Sequence, residues 1–141
     1  MFQTEFLGRL HPLIVHIPIG ILVFAYCMML FQRFRRVEME SAVSFALLFG
    51  FVSAIAACVA GWFLAQSGEY DTNLIFKHQW TGIGTATLST AAYFLKQFRW
   101  LLASAMIVLL TFTGHYGGTL THGADYLFPK KKDCTRKNCP N

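Results

Sequence analysis

With 141 residues, 55% of them hydrophobic and only 13% charged, the chain is too apolar for a soluble domain of its size, and an integral membrane protein is the expected class. The net charge of +5 does not point to nucleic acid, because the basic residues fall in short clusters between apolar segments and in the tail, with no stripe of interleaved aromatics. No nucleic-acid partner is expected.

Met1 to Leu10 has no basic region followed by a short apolar core and a small-residue cleavage site, so the first apolar segment is expected to remain in the bilayer. That segment, residues 12–31, opens on LHPLIVHIPIG, with His11 and His16 at its head. Pro12 suits the first helical turn, and Pro18 predicts a kink because it cannot donate to the carbonyl of Ile14. Arg33, Arg35 and Arg36 form a basic connector.

Residues 41–64 are the clearest second span, with Gly50-x3-Ala54 and Ala57-x3-Gly61 as small-residue strips for close helix approach. A polar loop, residues 66–73, carries Glu69 and Asp71. The third segment, 75–94, is diluted by Thr81, Thr85, Thr87, Ser89 and Thr90, whose hydroxyls can bond back to their own helix or across to a neighbour. Lys96 and Arg99 form the next connector, and the fourth segment, 100–120, ends in TGHYGGTLTHG. Cys27 and Cys58, inside apolar segments, read as packing residues.

The expected fold is therefore an all-α four-helix bundle over residues 1–127, running up-down-up-down, with a basic tail at 128–141. The first and third connectors carry five Lys and Arg against Lys77 alone near the second, which puts those connectors in the cytoplasm and both termini on the outer side of a bacterial inner membrane. There the tail pair Cys134 and Cys139 would form a disulfide, with a metal site shared with a partner as the alternative.

In that topology His11, His16, His78, His115 and His122 all fall near the outer face. Histidines without accompanying carboxylates suit haem iron, zinc or copper, and the open end of a bundle is where facing helices assemble such sites. One or two b-type haems are the preferred cofactor. Gly82, Gly114, Gly117 and Gly118 would leave room for the macrocycle, and Arg9 and Lys77 would meet its propionates. His16, deeper than His11, ranks first as a ligand, paired with His78 across the core or with His115 between neighbours. Two histidines on iron with no open position imply electron transfer and not oxygen activation. Zinc or copper binding, and a structural role in a larger respiratory or photosynthetic complex, are the alternatives. No nucleophile elbow, phosphate loop or zinc-protease helix suggests a stand-alone enzyme.

The string GRLHPLIVHIPIGIL, with His78-x3-Gly82 and the closing GHYGGTLTHG, resembles a family of small bacterial membrane proteins catalogued as a domain of unknown function. The resemblance extends to about Leu127 and implies that His11, His16, His78, His115 and Gly118 occupy motif positions. Some members are fused to a planctomycete-type cytochrome c domain, which implies redox work. This chain has no C-x-x-C-H motif, so a c-type cytochrome would be a separate partner.

Overall fold

A computed structural model describes residues 10–66 and 71–123. Arg9, the 128–141 tail and its two cysteines lie outside the described residues. The chain forms α1 (His11–Ile14), α2 (His16–Arg35), α3 (Glu40–Ala65), α4 (Thr72–Phe94) and α5 (Arg99–His122), with a 3-10 turn at Lys96–Phe98 before α5. Among the described residues there is no strand.

Three stretches, His11–Arg35, Glu40–Ala65 and Lys96–His122, are long and apolar enough to cross a membrane. Helix α4 has 23 residues, about 34 Å at 1.5 Å per residue, so it matches the others in length but not in hydropathy. Its five diluting hydroxyls are all bonded back to the helix that carries them. Thr81 donates to Lys77, Thr85 to Thr81, Thr87 to Ile83, and Ser89 and Thr90 both to Ala86, at 2.7–2.9 Å. A hydroxyl satisfied in this way costs little in an apolar setting.

Local chemistry sets the helix ends. The Pro18 effect falls at Val15: with no N–H from Pro18 to receive, the Ile14 carbonyl ends α1, and α2 begins at His16. Helix α2 runs past Phe31 to Arg35, so Arg33 and Arg35 occupy its last turn, where cations suit the helix dipole. Helix α4 begins at Thr72, three residues before the expected start, because the Asp71 carboxylate accepts from the N–H groups of Asn73 and Leu74, both at 2.9 Å.

Consecutive helices pack against one another, α4 with α5 most extensively, and α2 also touches α5. The buried core gathers Leu22, Ala25, Met28 and Met29 with Val43, Leu47 and Met106, closed by Ala92 and Ala103. It lies toward the α2–α3 and α4–α5 connectors, away from the histidines. Gly50 is the notch that seats Leu22, which is fully buried. Cys27, expected to pack inside, is exposed on the flank of α2, while Cys58 is half-buried.

Two alanine substitutions should therefore act in opposite directions in thermal unfolding of the detergent-solubilised protein. Gly50→Ala drives a methyl into Leu22 and should destabilise by about 1–3 kcal/mol. Gly20→Ala meets nothing within 4 Å, and should leave stability unchanged or raise it by up to about 1 kcal/mol.

Candidate functional site

In an α-helix each backbone carbonyl has two lone pairs, one of which accepts the N–H four residues on. The side chain at that fourth residue leans back toward the helix N-terminus and shields the second lone pair. A glycine there removes the shield. The chain uses this device twice, each time for a histidine.

His11, at the start of α1, places Nδ1 2.9 Å from the Ala57 carbonyl of α3. Its ring lies over Gly61, four residues on, so close that a Cβ on Gly61 would sit 2.8 Å from the ring's Cε1. His78, in the second turn of α4, places Nδ1 3.0 Å from the Thr113 carbonyl of α5. Its ring lies over Gly117, where a Cβ would be 3.0 Å from Cε1.

A carbonyl can only accept, so in both pairs Nδ1 carries the proton and donates it. The neutral ring is thereby left with a bare, acceptor Nε2. This is the orientation that metal-binding imidazoles adopt, with the outer nitrogen bonded to a backbone acceptor and the other free to ligate.

The two rings also meet. Their centroids are 6.0 Å apart and their planes are 84° to each other. Thus α1 and α4, with the glycine-bearing ends of α3 and α5, come together around one pair of imidazoles. The residues nearby are small or hydroxylated: a Cβ on Gly82 would sit 3.8 Å from Thr113 and 4.0 Å from Cys58, and the Thr85 hydroxyl lies 3.5 Å from that of Thr113.

The other sequence-derived residues are placed differently. His16, ranked first from its depth, is exposed, with Nδ1 2.6 Å from the Pro12 carbonyl. Five residues from His11, it points about 140° away around the helix axis. His115 is exposed beside Tyr116, with centroids 5.8 Å apart. Two residues from both Thr113 and Gly117, it points about 200° from the face that receives His78. His122, also exposed, ends α5 with Nδ1 2.7 Å from the Thr121 hydroxyl.

Of the glycines expected to leave room for a cofactor, Gly117 is occupied by the His78 ring, and Gly82 makes ordinary packing contacts. Gly114 is open, with nothing within 4 Å of a Cβ built there. Gly118 is half-buried, and its carbonyl accepts from Thr121 at 3.2 Å. Lys77 is exposed on α4. Sequence reasoning missed Gly61 as a ring seat and the carbonyls of Ala57 and Thr113 as partners. The signal was available in Ala57-x3-Gly61, read only as helix packing.

The docking makes a coupled prediction. Gly61→Ala should destabilise the protein by displacing the His11 ring, but should cost far less in a His11→Ala background, where there is no ring to displace. Thermal unfolding of the four proteins in this cycle should give a coupling of about 0.5–3 kcal/mol.

Among the described residues no three His, Cys, Asp or Glu side chains gather as a metal-ligand group, so the imidazole pair is the unit of the site. No protein-family model, curated protein or solved structure matches the chain.

Proposed function

We propose that the chain is a multi-pass subunit of a bacterial inner membrane that binds one b-type haem between His11 and His78 and carries electrons. The observation behind this reading is the matched pair of Nδ1–H donations to helix carbonyls, which leaves two bare Nε2 atoms on adjacent rings. Donor number favours haem: its macrocycle supplies four nitrogens, and two imidazoles complete the iron. Zinc takes four ligands and would need two beyond this pair.

The haem would supply one-electron chemistry. The residues of the chain hold it and tune it. Donation from Nδ1 to Ala57 and Thr113 fixes both ring orientations and makes each Nε2 a stronger donor. Held by two histidines, a haem iron would have no open position for substrate, so the chemistry it would supply is electron transfer between a membrane donor and an acceptor such as a separate c-type cytochrome.

In this reading all four helices cross the membrane up-down-up-down. The connectors bearing Arg36 and Lys96 face the cytoplasm and the imidazole pair lies toward the outer face, in accord with the positive-inside rule. The rings seated over Gly61 and Gly117 favour one other reading, in which the histidines serve as interhelical clamps in a structural subunit of a larger complex.

A reduced-minus-oxidised spectrum of detergent-purified protein separates the two. The haem reading expects a b-type alpha band that is lost in both His11→Ala and His78→Ala and kept in His16→Ala. A colourless protein from a haem-replete host would leave the clamp reading in its place.

A further inference from the structure

The end of the bundle opposite the histidines holds a cleft of about 440 Å³, within the size range of small-molecule sites. Met29 and Val43, both buried, contribute apolar lining. Its polar lining comes from parts of the chain about 60 residues apart: Arg33 and Arg36 from the end of α2, Glu40 from the start of α3, and Lys96 and Arg99 from the turn into α5. Trp100 completes the rim.

The charges do not cancel. Glu40 is the one carboxylate in the lining, and it is shared by Arg99 Nη1 at 2.6 Å and Lys96 Nζ at 3.5 Å. Arg99 is otherwise committed to the fold: Nε donates to the Ala92 carbonyl at 3.1 Å and Nη2 to the Tyr93 carbonyl at 3.4 Å, closing the end of α4. Arg33 and Arg36 are exposed and have no carboxylate within 4.0 Å among the described residues. Four cations against one carboxylate leave the cleft with an excess of three positive charges.

Two further features suit an anion. Helix α3 begins at this cleft, and Met39 does not cap it through a side chain, so its first-turn N–H groups are without that partner. Arg36 ends α2 in the left-handed region, φ 54°, where glycine would be the least costly residue. An arginine at that point keeps a cation on the cleft wall.

We infer that this cleft binds the phosphate of an anionic phospholipid, with Arg33 and Arg36 as the headgroup ligands, Lys96 and Arg99 as the supporting charge, and the apolar floor against the glycerol backbone. Basic connectors at a membrane face ordinarily set topology and meet headgroups one by one. Here cations from two distant connectors converge on one concave surface with apolar lining and an interfacial tryptophan, which is the form of a headgroup site between transmembrane helices.

Native mass spectrometry of the full chain in detergent tests the assignment, with phosphatidylglycerol and phosphatidylcholine of matched acyl chains as probes and inorganic phosphate as a third arm. The wild type should retain phosphatidylglycerol in preference to phosphatidylcholine. Arg33→Ala/Arg36→Ala removes side chains without ion-pair partners among the described residues, so helical content should be unchanged, while phosphatidylglycerol affinity should fall about fivefold per arginine and about 30-fold for the pair. Equal retention of the two lipids, or undiminished phosphatidylglycerol binding by the folded double variant, would overturn the proposal. Competition by inorganic phosphate as effective as that of the lipid would overturn the lipid assignment and point to a free phosphate.

Discussion

A backbone carbonyl can accept a hydrogen bond but never donate one, and the site depends on that asymmetry. Apolar helices satisfy most of their own N–H groups, so the second lone pair of a carbonyl is among the few polar partners available to a side chain from a neighbour. By docking Nδ1 of His11 on Ala57 and Nδ1 of His78 on Thr113, the chain satisfies one nitrogen of each ring and fixes its tautomer. The polar cost of two imidazoles among apolar helices is thereby lowered, and what remains is a bare nitrogen on each of two rings whose centroids are 6.0 Å apart. Glycines four residues beyond each acceptor make the approach sterically possible.

The rest of the molecule is arranged around that end. The larger buried side chains, from Leu22 to Met29 and at Leu47 and Met106, cluster toward the opposite connectors, where they fasten the helices. Near the histidines the contacts are made by glycine, alanine and threonine. The division separates a packed, stabilising half from a half in which small residues let rings and backbones come close. Arg99, bonded to the end of α4 and to Glu40 at the start of α3, ties three helices together at the packed end.

Much of the helical layout was legible in the sequence, because apolar segments of about 20 residues punctuated by charged connectors carry strong signals of length and composition. The start of α4 was less legible: Asp71 and Asn73 read as loop residues by composition, yet Asp71 caps the helix and draws Thr72 and Asn73 into it. The weakness of the third segment as a span was visible in its threonines, and the helix is full length because each hydroxyl finds a carbonyl of its own turn.

The site was legible in its residue type and not in its pairing. Histidines at matching ends of the segments predicted an assembly, but depth along the chain favoured His16, whereas azimuth decides. The angular offsets that turn His16 and His115 away from the docking faces follow from helical geometry, but they become decisive only when the contacting face is known. Gly117 was likewise read as space for a cofactor and Gly61 as a helix-packing residue, and both are space for the histidines themselves.

The central claim is the placement of a proton. Nitrogen-15 NMR of histidine-labelled protein purified without cofactor, with resonances assigned by His11→Gln and His78→Gln, reports it directly. Both residues should be neutral, with the proton on Nδ1 and a bare Nε2. A neutral ring with its proton on Nε2 would be the contrary result, because its Nδ1 could not donate to the carbonyl it faces and its Nε2 would not be free for a metal.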